Sequence, residues 1–269
     1  MSTAELNGAR IAYEVRGSGP AVTLIHEGIA DRRMWREAVP VLEPHFTVVT
    51  YDQRGFGDSS LPSGTATYVD DLRALLDHLG LERTTLVGAS LGGRVALELT
   101  LFQPERVDRL VLVAAGLPDW DWSDEVKRFG EQEDQAYGAG DLDRAVELNL
   151  ALWVDGPGRG PDAVDPAMRA FVGEMQRRAF EIPLPDPEPT SPPPLEPPAR
   201  RRLGHIAMPT LVMIGDADVE DMQQIADVLA EGIPGAQKVT LADTAHMIPL
   251  ERPAEFNRIL LDFLHTEAP

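Results

Sequence analysis

Thr84-Thr85-Leu86-Val87-Gly88-Ala89-Ser90-Leu91-Gly92 is the stretch on which the fold turns. Its first four residues read as a buried strand, and Leu91–Phe102 reads as a helix. Between them stands Gly-Ala-Ser-Leu-Gly, a G-x-S-x-G sequence at a strand-to-helix junction. A serine on so tight a turn takes strained backbone angles, and neighbours carrying Cβ atoms would clash. Glycine therefore stands two residues to each side. The turn lifts the serine Oγ above the sheet, and the following helix aims its N-terminal amides at any oxyanion formed there. At this glycine and serine content only about 0.06 such pentapeptides arise by chance. Ser90 is the candidate nucleophile.

Outward from this junction the chain alternates strands and helices. Leu6-Asn7-Gly8-Ala9 is a hairpin turn between Thr3–Leu6 and Arg10–Val15. Ala21–Ile25 is an apolar run that fits a strand buried on both faces. Met34–Leu42 reads as a short helix, Phe46–Tyr51 as a strand, and Val69 to Leu79 as one apolar helical face. Arg109–Ala114 is the next strand. After Gly116 the rhythm breaks, and from Trp120 to about Arg202 the patterns are helical, with candidates at Asp141–Trp153 and behind Asp165-Pro166. Pro183–Pro198 follows, too rich in proline for helix or central strand, and is expected to cross the surface extended. Thr210–Gly215, Glu220–Glu231, Lys238–Leu241 and Pro253–His265 resume the alternation. The order implies an α/β fold, a mostly parallel sheet with helices on both faces.

The composition narrows the class. The chain has 269 residues, 44 acidic against 24 basic side chains, and no cysteine. A net charge of −20 argues against duplex DNA or anionic lipid as the main partner. Without cysteine there is no disulfide framework, Cys–zinc site or thiol nucleophile. No apolar run approaches the ~18 residues a membrane helix needs, and the start Met1-Ser2-Thr3-Ala4-Glu5 lacks a secretory signal. The expectation is an acidic, cytoplasmic globular protein with a small-molecule substrate. No nucleic-acid or membrane partner is expected.

A serine nucleophile needs a base and an acid to orient it. Of the six histidines, His246 stands in a loop between the last strand and the last helix, whereas His26 ends a central strand and competes as a hydrogen-bonded core residue. The acid belongs between Ser90 and His246 for the order Ser…Asp…His. Gly215-Asp216-Ala217-Asp218 offers two aspartates, of which Asp218 can turn back over the sheet while Asp216 braces the turn. Asp119 is the outside candidate. No His/Asp/Glu cluster has metal-ligand spacing and no dinucleotide fingerprint appears, so no cofactor or metal is expected.

Tyr51-Asp52-Gln53-Arg54-Gly55-Phe56-Gly57-Asp58-Ser59, Gly88–Gly93, the Gly215–Asp218 loop, and His246 followed by Glu251-Arg252-Pro253 together resemble the α/β-hydrolase superfamily. The resemblance covers residues 1–118 and 204–269 and places a helical cap at 119–203, within an eight-stranded sheet architecture. It implies Ser90 as nucleophile, His246 as general base and Asp218 as the orienting acid. The family carries aspartate at the nucleophile position in dehalogenases and epoxide hydrolases, so serine here argues against both. The loop after the third strand usually reads His-Gly-X. Here it is His26-Glu27-Gly28, which makes the Gly28 and Leu91 amides the oxyanion hole and puts Glu27 where glycine is customary. Glu27 is expected to point away and be held by a hydrogen bond or by Arg32 or Arg33, with substrate binding, or an oxyanion hole imperfect for ordinary esters, as the alternatives. The stretch Asp52, Arg54, Asp58 is expected to brace its loop.

Trp120, Trp122, Trp153, Met168, Phe171 and Met175 in the cap, with Met247 beside the base, are candidates for an apolar pocket or for the cap's own packing. The expected activity is hydrolysis of a small to medium, largely apolar carboxylic ester or lactone. The alternatives are carbon–carbon bond hydrolysis, a cofactor-free biosynthetic step, or a slow-turnover binding or signalling protein.

Overall fold

A computed structural model of the chain describes residues 1–62, 64–183 and 196–266. β1 (Ser2–Leu6) and β2 (Ala9–Arg16) form the predicted hairpin, with Asn7 and Gly8 at φ 49° and 80°, the positive values a tight two-residue turn requires. β3 (Ala21–Ile25), β4 (Thr47–Tyr51), β5 (Thr84–Ala89), β6 (Val107–Val113), β7 (Thr210–Gly215) and β8 (Gln237–Leu241) complete an eight-stranded sheet in the order β1-β2-β4-β3-β5-β6-β7-β8. Only the pairings of β2 are antiparallel. β5 and β7 are buried along their whole length and β6 from Leu110 onward, as strands covered on both faces must be.

The strand order reverses at β3, which lies between β4 and β5. Successive crossovers therefore leave in opposite directions at its carboxyl end, and a crevice opens there. α2 (Tyr68–His78) lies against α3 (Leu91–Phe102), which packs on β5 and β6, while α7 (Glu220–Gly232) packs on β7 and α8 (Ile248–Glu251) is a single turn. α9 (Pro253–His265) buries Phe256, Ile259, Leu260, Phe263 and Leu264, the stripe predicted from spacing.

Two local expectations are corrected. Met34–Leu42 is not one helix. A 3₁₀ turn over Arg32–Glu37, capped by Asp31, gives way at Ala38 to the single turn α1 (Val39–Leu42). Pro40 in that first turn has no amide to carry a helix through. The sequence reading also omits α4 (Asp124–Gly138), whose face is mostly Asp, Glu, Gln and Arg and buries only Ala136. Its signature was nonetheless present in the Ser123 cap and in Asp124 and Glu125 of the first turn.

Between β6 and β7 the described residues hold no strand. α5 (Leu142–Asn149) ends sooner than predicted, its last turn widening to a π-turn over Leu150–Asp155. α6 (Pro166–Glu181) starts on Asp165, whose carboxylate accepts from the Ala167 and Met168 amides at 2.7 and 3.0 Å. The proline-rich segment at 184–195 lies outside the described residues. The inserted helices are tied to the sheet layer by Arg33–Glu174 at 2.7 Å and Arg159–Glu251 at 2.8 Å, and by Trp120, whose indole donates to Asp221 at 3.0 Å.

Candidate active site

Ser90 sits on the turn between β5 and α3 with φ 50° and ψ −113°, a strained conformation for a residue with a side chain. Its backbone is clamped there. The Ser90 amide donates to the Val113 carbonyl at 2.9 Å, and its carbonyl accepts from the amides of Arg94 and Gly116, both at 3.0 Å. The glycines around it are steric necessities. A Cβ on Gly88 would lie 2.2 Å from the Gly92 carbonyl oxygen, and one on Gly92 would lie 2.3 Å from that of Ile25. Gly92→Ala is therefore expected to destabilise the fold by about 3 kcal/mol or more, since the clash is with backbone that cannot swing aside. Urea unfolding checks this, and an unchanged midpoint would mean that α3 is free to back away from β3.

Leu91, as the first residue of α3, has an amide with no partner one turn earlier in the helix. Gly28 is close by, since a Cβ on it would lie 3.7 Å from the Leu91 Cβ. Among the described residues the Gly28 amide takes no backbone acceptor. Two free N–H groups thus neighbour the serine.

His26, fully buried, holds the Gly28 loop. Its Nε2 accepts from the Gln53 amide at 2.9 Å, so the ring proton is on Nδ1, which donates to the Glu27 carbonyl at 2.7 Å. Burial pushes its pKa down and keeps the ring neutral. The Gln53 side chain donates to the His26 carbonyl at 2.8 Å. The sequence reading assigned Gln53 no part in this. Register carries the signal, because Ile25 of β3 lies opposite Tyr51 of β4, so the residues just beyond both strands must meet. The neighbouring Asp52 accepts from the Arg32 and Asp58 amides, both at 2.8 Å, and Arg54 is buried against Asp71 at 2.6 and 2.7 Å. This stretch braces its loop.

His246 and Asp218 meet, Nδ1 to Oδ2, at 2.7 Å, both nearly shut off from solvent. The other carboxylate oxygen of Asp218 accepts from the Val219 amide at 2.8 Å, which fixes its plane. Burial alone would depress the His246 pKa, but the Asp218 carboxylate outweighs it and the net shift is upward. Asp216 is exposed, as is Asp119, and neither side chain bonds His246. With its Nδ1–H directed to Asp218, the His246 ring keeps its Nε2 lone pair free to take a proton.

Glu27 departs from expectation. It is wholly buried, and neither carboxylate oxygen has a hydrogen-bond partner. The arginines expected to hold it are engaged elsewhere, Arg32 with Asp52 and Asp58 and Arg33 with Asp31 and Glu174. Burial pushes its pKa up to about 7, opposed by His246 and reinforced by Asp218, so its carboxyl lies within electrostatic reach of both.

The remaining candidates divide. The Trp153 ring is 4.8 Å from that of His246 and meets Phe129 edge-on at 5.8 Å. Met247, Met168 and Met175 are buried in the apolar core, and Trp120 and Trp122 pack half-buried against it. Phe171 faces elsewhere, under the Arg36 guanidinium at 4.1 Å, where it lines a cleft of about 410 Å³ with Trp35 and Arg33. Half-buried on α6, it packs at the edge of the core and covers arginine stems. Among the described residues no group of three or more His, Cys, Asp or Glu could hold a metal, and no helix is long and apolar enough to cross a membrane.

A profile of the alpha/beta hydrolase fold matches residues 20–156. Over 115 residues the chain is 44% identical to an uncharacterized protein of Mycobacterium tuberculosis, covering 41% of this chain and 33% of that one. The match thus spans about a third of that relative's length. Over 277 residues the chain is 29% identical to a putative carbamate hydrolase, RutD, of Agrobacterium fabrum, covering 94% of this chain and 97% of the other. The enol-lactonase from Burkholderia xenovorans LB400 superimposes with a TM-score of 0.81 at 24% identity, over 98% of this chain and 100% of that one, a likeness of fold.

Proposed function

The chain belongs to the α/β hydrolase fold family, and from that premise we propose that it is a serine hydrolase, cleaving a small to medium, largely apolar carboxylic ester or lactone through an acyl-enzyme. The observation that carries this reading is the strained Ser90 turn flanked by two free amides, on the same sheet edge as the Asp218–His246 pair. In this reading His246 Nε2 removes the Ser90 proton as Oγ bonds to the acyl carbon. The carbonyl oxygen becomes an oxyanion that accepts from the Gly28 and Leu91 amides. Collapse breaks the bond to the leaving oxygen, which takes the proton from His246. Water then attacks the acyl-serine, giving a proton to His246 and releasing the acid and free Ser90. Asp218 holds the imidazole in the working tautomer and stabilises its protonated form.

Residues 119–203 act as a cap over a core of 1–118 and 204–269, and Trp153 against His246 is where that cap meets the site. The putative carbamate hydrolase, similar along nearly its whole length, acts by its name on a related acyl group, which supports the reaction class. Esters with short acyl chains are favoured over long lipids, because Trp153 crowds His246 and the chain carries −20.

The test compares p-nitrophenyl butyrate, p-nitrophenyl palmitate and an aminoacyl anilide across pH. Butyrate is expected to give the highest kcat/KM. Its value should fall as pH drops, because protonated His246 cannot accept the serine proton. Since the His246 pKa is raised, that limb should lie above the ordinary histidine value of about 6.5. A flat profile between pH 5 and 8, or no turnover of any ester, would overturn the reading.

A further inference from the structure

Glu27 is a group the mechanism above does not use. It stands between His26, which pins its carbonyl, and Gly28, which lies against Leu91 of the serine turn. Both of its carboxylate oxygens are buried without a partner, and no Lys or Arg among the described residues pairs with it. Buried polar atoms in folded proteins are nearly always satisfied, and a carboxyl left bare beside a reactive centre calls for a donor from outside the chain.

The surroundings decide what that donor is. The titratable groups within reach of the Glu27 carboxyl are His246 and Asp218, the first committed to the second at 2.7 Å. This buried cluster therefore holds two carboxyls and one imidazole, in a protein of net charge −20. An anionic ligand group would be repelled, and a neutral acceptor would leave the ionised form unsatisfied. A cation with N–H donors meets both demands. It also cancels a negative charge that would otherwise oppose the oxyanion forming beside Gly28.

Resting on the serine-hydrolase reading, we propose that Glu27 is the anchor for an ammonium group on the acyl part of the substrate, so that the preferred substrates are esters of apolar amino acids. Its place one residue before an oxyanion-hole amide puts that ammonium close to the scissile carbonyl. The group has no internal counter-ion to displace, since Arg32 and Arg33 are bound to Asp52 and Asp31. A carboxyl poised near neutrality is converted to its ion by the arriving cation, which turns a bare buried acid into a charge-assisted pair.

The measurement is kcat/KM for leucine ethyl ester against ethyl 4-methylpentanoate, the same acyl skeleton without the amine, followed by titration of the released acid. The wild-type enzyme should favour the amino ester on the order of ten- to a hundredfold, the range of a hydrogen bond to a charged group. In Glu27→Gln the ratio should fall to about one. Equal rates in the wild type, or a preference that survives Glu27→Gln, overturn the anchor. Calorimetric titration of the wild type with leucinamide and with 4-methylpentanamide reads the same contact without mutation, so misfolding of the variant leaves the question decided. If neither ester is cleaved, the serine-hydrolase reading fails on its own. Tighter binding of leucinamide would then still uphold the ammonium anchor, and equal binding would remove it.

Discussion

Ser90→Ala is expected to lower kcat on p-nitrophenyl butyrate by a factor on the order of 10⁶, the scale seen when an activated serine is removed from a working triad. The fold should survive, because alanine keeps the Cβ that the turn already accommodates and the backbone clamps on Val113, Arg94 and Gly116 do not involve the hydroxyl. A fluorophosphonate probe should add once to the wild type, on Ser90, and not at all to the variant. Intact mass and peptide mapping give the readout. Adduct formation on another serine, or an alanine variant with much of its activity left, would remove Ser90 from the role assigned to it.

Asp218→Asn should lower kcat on the order of 10⁴, while Asp216→Asn should leave most of it. The two side chains are neighbours in sequence but not in surroundings. Asp218 Oδ2 holds His246 Nδ1 at 2.7 Å, and its Oδ1 is locked by the Val219 amide. An asparagine there offers N–H to Nδ1 in half its orientations, and the proton then moves to Nε2, where it blocks acceptance from Ser90. Asp216 is exposed and bound only through its backbone, its amide donating to the Leu241 carbonyl at 3.0 Å and its carbonyl accepting from Gln223 at 3.2 Å. Equal losses at the two positions would show that the orienting acid is misassigned.

The sheet can be read from residues because its central strands carry apolar runs, such as Ala21–Ile25, Leu110–Val113 and Leu211–Ile214, and its turns use residues that few conformations admit. Asn7-Gly8 and Gly88–Gly92 are cases where sterics leave little choice. α4 escapes notice for the opposite reason, since its few apolar positions, Val126, Phe129, Ala136 and Tyr137, are interrupted by Glu133 and only Ala136 is fully buried. The site is legible where one contact decides a role, as for His246 and Asp218, and illegible where several partners compete. Sequence proximity suggests Arg32 or Arg33 for Glu27, yet Asp31 stands two residues from Arg33 and takes its guanidinium at 2.8 Å. A short-range pair forms at less entropic cost than one reaching across the loop. Phe171 misleads similarly. Helical spacing puts it with Met168 and Met175, but spacing cannot say that the edge of that stripe also lies under the Arg36 side chain.

The pairing of Leu110 on β6 with Thr210 on β7 has a consequence for how the molecule is made. During synthesis the serine turn and its two amides are delivered with the first half of the chain, whereas acid and base emerge only after the helical insertion. Until β7 docks, β6 presents a bare edge, apolar from Leu110 to Val113, to other nascent chains, the kind of edge that recruits strands from neighbours. Pairings this distant also form slowly. Mutual repulsion among copies carrying −20 lengthens the time a half-built sheet can wait for its last strands. The acidity that says so little about substrate is thus a protection during assembly.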